Sequence, residues 1–278
     1  MKIGFLGISE FGLNFFKHII EKYDVVFATG KSKEAKHTRS ISELFSKLCL
    51  ENNVNYLGNV NVNEKKFINL SKTVDLIVLG GYDKILKKEI IDAPRIGIIN
   101  THLGLIPQNR GCNPVMWSLL RGESQGYTTY FVNEKIDDGK ILDMQVVDCE
   151  DMNAFFTYKK ISKICSKNIM KTLSMIEEGY LGIEPRGLHV YHKQGMPNDG
   201  CVSWAWTNKF LMRFSKSLDF SPYLPMHTIL DDKKYFLRIK KIGKKTFKEN
   251  ISDGTILERN NNIISVKTKD GYAVCELD

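Results

Sequence analysis

Asn100 and His102, within the segment GIINTHLGLIPQNRGCN at 97–113, are the residues best typed and spaced for chemistry. An i, i+2 pair on extended backbone points both side chains to the same side. The amide can donate to a developing oxyanion, and the imidazole can take or give a proton near neutral pH. The same pair also reads as a strand-capping Asn beside a structural His. Farther on, Ile136-Asp137-Asp138-Gly139 offers a carboxylate that could orient the imidazole and favour its protonated form. A surface turn is the plainer reading of that stretch, and spacing does not choose between Asp137 and Asp138. No Ser or Cys nucleophile lies near the set, which points to a reaction in which the substrate itself attacks. Acyl transfer to a substrate amine fits, because a neutral amine needs a proton acceptor beside it and a site closed to water. His102, Asp137 and His227 match no compact metal-ligand spacing, so no metal is expected.

Strands and turns must bring these residues together. Apolar runs at 2–8, 25–29, 76–79 and 96–100 read as strands, and helical spacing fills the stretches between them. That alternation predicts an α/β fold with a mostly parallel sheet and helices on both faces. Asn100 is expected to end its strand, where ligands bind in such sheets. Gly4, Gly7 and Gly12 do not make a dinucleotide fingerprint, and no P-loop, HExxH or GxSxG is present. The turn at Gly7-Ile8-Ser9 could still receive part of a phosphate or sugar, and it reads equally well as a simple tight turn. One long helix is expected over 154–179. Breaks at Pro185-Arg186-Gly187 and 195–200 then place a domain boundary, giving 1–190 and 191–278. The second part has short alternating runs and reads as a small, mostly antiparallel β barrel.

Composition narrows the class. The chain has 278 residues, 42% hydrophobic and 26% charged, which excludes a collagen-like or mainly disordered protein. No apolar stretch approaches the roughly 18 residues of a membrane span. The opening apolar run is short and reads as a strand, not a secretion signal. Six Cys form no CxxC pair, so a reducing, cytoplasmic setting is expected. The net charge is +8, and Asp231–Lys248 holds eight Lys or Arg. That stretch is either a contact for an anionic partner or a solvated face.

The run from Asn100 to Gly111, followed by Pro114 and Trp117, then Gly126-Tyr127-Thr128-Thr129-Tyr130 and Ile136-Asp137-Asp138-Gly139, resembles the N10-formyltetrahydrofolate-dependent formyltransferases. The resemblance implies a Rossmann-like catalytic domain. It also implies a catalytic trio of Asn100, His102 and Asp137, with N10-formyltetrahydrofolate as formyl donor. Gly80–Leu86 is similar to the family's folate-side loop, which implies donor contacts at Tyr82, Asp83, Ile85, Leu86 and Asp137. Segments 199–204, 221–225 and 254–257 resemble the small OB-type barrel appended to several members. Gly104 stands where the family usually has Ser, Tyr130 where it often has His, and Leu224 and Met226 depart from its Pro-Tyr-Pro-Gly-Ala segment.

The run Asn113-Pro114-Val115-Met116-Trp117-Ser118 is most similar to sugar-nucleotide N-formyltransferases that serve surface polysaccharide. This implies a dTDP-linked 4-amino-4,6-dideoxyhexose as acceptor, and a homodimer. Lys31, Gln108 and Arg110 are candidates for the diphosphate, Arg110 alternatively for bracing its loop. Ser9, Asn113 and Trp117 complete the expected acceptor side, with Trp117 either pocket wall or core. No nucleic-acid or membrane partner is expected. The competing reading is formylation of methionyl-tRNA, with the basic stretch following the phosphate backbone.

Overall fold

The computed structural model describes residues 1–7, 9–30, 36–218, 225–247 and 250–278. In chain order the elements begin with β1 (Lys2–Gly7), α1 (Glu10–Ile20), β2 (Asp24–Thr29), α2 (Lys36–Glu51), β3 (Asn55–Tyr56), α3 (Lys65–Ser71) and β4 (Leu76–Gly80). They continue with α4 (Lys88–Ile91), β5 (Gly97–His102), β6 (Arg110–Gly111), α5 (Pro114–Arg121), β7 (Gly126–Phe131), β8 (Ile141–Val146) and α6 (Ala154–Glu177). The remainder is β9 (Tyr191–His192), α7 (Asn208–Leu218), β10 (His227–Leu230), β11 (Lys233–Lys244), β12 (Ile256–Asn260), β13 (Ile263–Thr268) and β14 (Gly271–Leu277).

The main sheet has seven strands in the order β3-β2-β1-β4-β5-β7-β8. The first five run parallel, whereas β7 is antiparallel to β5 and β8 to β7. Central strands of such a sheet are buried on both faces, which explains their unbroken apolar runs. One face packs Leu6, Phe27, Ile77, Leu79 and Ile98 with Phe67 of α3. On the other, Phe5 of β1 meets Phe16 of α1 and Phe45 of α2, with ring centroids 5.1 and 5.9 Å away. Gly12 lets α1 lie close to β4, because a Cβ there would stand 2.0 Å from the Gly80 carbonyl oxygen.

The expected strand ending at Asn100 runs on through His102. Antiparallel pairing with β7 supplies the reason: Thr101 faces Thr129 and His102 faces Thr128 in register. Beyond β7, a Cβ on Gly139 would fall 1.6 Å from the Phe131 carbonyl oxygen, so only glycine fits there. That contact folds the Asp137-Asp138-Gly139 loop back against the end of β7.

The chain forms two compact units. The first comprises Met1–Gly111, Gly126–Val147 and Lys159–Tyr191. The second comprises His192–Asp278 together with Cys112–Gln125 and Asp148–Tyr158, two segments that the reading from sequence placed within 1–190. Its five-stranded antiparallel sheet, in the order β10-β11-β14-β13-β12, is a curled half barrel. Residues alternate inward along β14, with Ala273, Cys275 and Leu277 buried. On these pack Met116 and Leu120 of α5 and Leu211, Phe214 and Leu218 of α7. Helix α7 was not expected, and α5 belongs to this core because its apolar face fits here. Residues 221–224, including the Leu224 departure, lie outside the described residues.

Candidate active site

Strand β5 carries Asn100 and His102 on one side, as the i, i+2 spacing requires. Thr128 and Tyr130 stand opposite them on β7. The chain after His102 is tied down by Thr128, whose Oγ1 donates to the Gly104 carbonyl at 2.8 Å and accepts from Ile106 N–H at 3.2 Å. The turn then brings the Asn109 carbonyl 2.7 Å from His102 Nε2. A carbonyl has no proton to give, so Nε2 must carry the hydrogen. In the neutral ring Nδ1 is then the free nitrogen, and it lies 3.6 Å from Asp137 Oδ2. Both side chains are only 9% exposed, so little water screens this approach.

Asp137 adopts a left-handed backbone, φ +49°. Asp tolerates that region better than most residues. Its Oδ2 accepts from Gly111 N–H at 2.7 Å, and its Oδ1 accepts from Tyr130 Oη at 2.6 Å. Tyr130 Oη in turn accepts from Asn100 Nδ2 at 2.9 Å. Burial first, and the adjacent Asp137 charge second, push the Tyr130 hydroxyl well above its ordinary range, so it remains a neutral donor. Asn100, His102 and Asp137 thus meet at the end of β5. The choice between the two carboxylates is made by direction: Asp137 faces His102, whereas Asp138 Oδ1 faces His189 Nδ1 at 3.0 Å and Arg110 Nη1 at 3.2 Å.

Arg110 spends its guanidinium on that loop. Nε and Nη2 donate to the Ile136 carbonyl at 2.9 and 2.6 Å. These bonds tie Arg110 to the residue that precedes Asp137. Ser9 caps α1, accepting from Gly12 N–H at 3.1 Å. Gln108 is exposed, and Lys31 lies outside the described residues. Asn113 and Trp117 fall in the second unit. There Asn113 opens α5 with φ +60°, and Trp117 stacks on His192 at 4.6 Å while packing against the barrel core.

At the end of β4, Tyr82 and Leu86 pack against the main-sheet core, whereas Ile85 is 67% exposed and Asp83 is also exposed. Tyr82 Oη is buried with no hydrogen-bond partner among the described residues. Burial, with Asp83 nearby, raises the Tyr82 hydroxyl to about 12.

Three contributors were not found from sequence. Tyr130 departs from the family's usual His and so carries no motif signal, although the alternation in Gly126-Tyr127-Thr128-Thr129-Tyr130 places it and Thr128 on one face. The Asn109 carbonyl carries no side-chain signal at all. Among the described residues, no group of His, Cys, Asp and Glu could hold a metal ion, and no helix is long and apolar enough to cross a membrane.

Known proteins share sequence and fold with this chain. A methionyl-tRNA formyltransferase of Clostridioides difficile (strain 630) is 34% identical over 187 residues, covering 64% of this chain and 60% of that relative's length. The 4-N formyltransferase of Francisella tularensis superposes with a TM-score of 0.69 at 20% identity, over 87% of this chain and 98% of that one. WlaRD, a sugar 3N-formyl transferase solved with dTDP and 5-N-formyl-THF, superposes with a TM-score of 0.70 at 17% identity, over 100% of this chain and 97% of that one. At such identities the likeness is one of fold. The formyl transferase family itself matches residues 22–167, a stretch that holds β5, the Asp137 loop and just over half of the sequence, and the chain therefore belongs to that family.

Proposed function

We propose that the protein transfers a formyl group from N10-formyltetrahydrofolate to the primary amine of a nucleotide-linked amino sugar, with a dTDP-linked 4-amino-4,6-dideoxyhexose as the leading acceptor. The observation that carries this reading is the convergence of Asn100, His102 and Asp137 around one point. When bound, the folate supplies a formyl carbon activated by its attachment to N10. The amine nitrogen attacks that carbon, and the carbonyl electron pair moves onto oxygen. The free N–H of Asn100 stabilises the oxyanion. His102 Nδ1 takes the proton that the amine loses, and Asp137 stabilises the imidazolium that results. Collapse returns the electron pair and breaks the bond to N10, and the His102 imidazolium hands its Nδ1 proton to the departing N10, leaving the formamide, tetrahydrofolate and a neutral His102.

The residues present fit the donor. Ile85 offers an exposed apolar surface beyond β4, and the unpartnered Tyr82 hydroxyl can bond to a polar edge of the pterin. Arg110 is proposed to brace the Asp137 loop, with the acceptor diphosphate as its alternative contact. Gln108, Ser9, Asn113, Trp117 and Lys31 remain the proposed acceptor side, and the protein is proposed to act as a homodimer in the cytoplasm. The reading draws support from the fold shared with a sugar 3N-formyl transferase.

Methionyl-tRNA is the competing acceptor, favoured by the 34% identity to a methionyl-tRNA formyltransferase. The basic strand β11 weighs less than its charge count suggests, since Arg238 pairs with Asp278 at 2.7 Å and Lys240 with Glu276 at 2.5 Å. Turnover measured with the folate donor and each acceptor in turn separates the two. Formylation of the amino-sugar nucleotide alone supports the proposal. Formylation of the tRNA alone, with binding that weakens steeply as salt rises, overturns it.

A further inference from the structure

We propose that Tyr130 is a positioning residue, setting which end of the Asn100 amide faces the reacting carbonyl and seating the Asp137 carboxylate beside His102. The inference rests on the formyl-transfer reading of this same site and adds to it a residue outside the expected trio.

The polarity of the chain of hydrogen bonds follows from its far end. Asp137 Oδ1 is a carboxylate oxygen and only accepts, so the Tyr130 hydroxyl, 2.6 Å away, must donate to it. The phenol has one proton, and that proton is spent. Its oxygen can then only accept from Asn100, so the amide group 2.9 Å away must be the NH2 and not the carbonyl. One Nδ2 hydrogen is thereby held by Tyr130, and the other is left as the donor for an oxyanion. Without the hydroxyl, no other hydrogen bond to the Asn100 side chain among the described residues opposes a half-turn of the amide. That rotation would place Oδ1 against the developing negative charge.

Position and length both matter. Tyr130 is the direct cross-strand neighbour of Asn100, which brings the two side chains onto one face. Its ring then spans from β7 to a loop that a shorter polar side chain on that strand would not reach. The hydroxyl is fully enclosed, with Tyr130 only 3% exposed, so water cannot substitute for it freely. Gly111 N–H holds the other oxygen of Asp137 at 2.7 Å. Two donors from two elements therefore set the carboxylate's plane, and the edge left over faces His102 Nδ1.

The test compares wild type with Tyr130→Phe, which keeps the ring and removes only the hydroxyl. The first readout needs no acceptor. The Asn100 side-chain amide is followed by 15N–1H NMR, assigned by its loss in Asn100→Ser. Wild type is expected to show one Nδ2 hydrogen protected from solvent exchange, and Tyr130→Phe to lose that protection. The second readout is steady-state turnover with the folate donor and either dTDP-4-amino-4,6-dideoxyglucose or methionyl-tRNA. The expected result is a fall in kcat of at least about 10-fold, below the ~10²–10³-fold cost of deleting an oxyanion donor outright. Both KM values should stay within about 3-fold. Retained amide protection, unchanged kcat, or a loss confined to KM or to thermal stability overturns the inference. If wild type formylates neither acceptor, the acceptor assignment falls and the amide signal alone judges Tyr130.

Discussion

His102 Nε2 lies 2.7 Å from the Asn109 carbonyl, seven residues along the same chain. The imidazole is thus oriented by its own loop, and the nitrogen left for chemistry is the one that faces Asp137. In a serine-protease triad the Asp holds Nδ1–H and Nε2 meets the substrate. Here the backbone carbonyl takes the orienting role, and the carboxylate lies on the Nδ1 side.

Replacing His102 with Asn tests this arrangement. The variant keeps a polar side chain opposite the Asn109 carbonyl, so the fold should persist with a nearly unchanged melting temperature. Turnover should fall by about 10²–10⁴-fold, the usual worth of a general base. Wild-type turnover in a folded variant would remove His102 from the proton path.

The two neighbouring carboxylates should behave differently. Asp137→Asn is expected to cut kcat by ~10²-fold or more, since a neutral amide cannot stabilise the imidazolium. Asp138→Asn should keep kcat within about 3-fold, because its contacts are with Arg110 and His189 and not with His102. Steady-state rates of both variants decide the matter, and a reversed ranking would exchange their roles.

Arg110→Ala separates bracing from substrate binding. The guanidinium holds the Ile136 carbonyl through two donors, one residue before Asp137. Loosening that loop should lower kcat by about 10-fold, within the range a small misplacement of catalytic groups can cost. The acceptor KM should change little. A rise in acceptor KM at constant kcat would instead assign Arg110 to the diphosphate.

Tyr82→Phe carries a pH prediction. Burial first and Asp83 second raise the Tyr82 hydroxyl from 10.0 to about 12. The native state therefore keeps a proton that the unfolded chain releases above pH 10. Stability from this group is complete below about pH 10 and is lost as pH climbs towards 12. Tyr23, also raised to about 12, adds a parallel loss. Thermal melts between pH 8 and 11.5 should show a decline that is shallower in Tyr82→Phe. At pH 7.5 the variant should be as stable as wild type or up to ~1 kcal/mol more so, because a buried hydroxyl without a partner is removed. A higher donor KM in the same variant would place the hydroxyl against the folate.

Much of this protein can be read from local pattern. Apolar runs within β1, β2, β4 and the first part of β5 mark strands covered on both faces, and alternation along β13 and β14 marks strands covered on one. The period of two along β5 puts Asn100 and His102 on one side, and the Asp-x-Gly turn supplies a carboxylate, because these are short-range consequences of backbone geometry. What stayed hidden depends on contacts between residues distant in the chain. Asp137 rather than Asp138 faces the imidazole because the Gly139 approach to Phe131 and the Arg110 clamp fix the loop's rotation. Tyr130 joins the site because antiparallel pairing sets it opposite Asn100, and a register shift of one residue would turn it to the other face. Helix α5 packs with the barrel residues because its apolar face fits Phe214 and Leu237, residues about a hundred positions away in sequence. Side-chain type and spacing set which groups are available; register, loop rotation and packing set which of them meet.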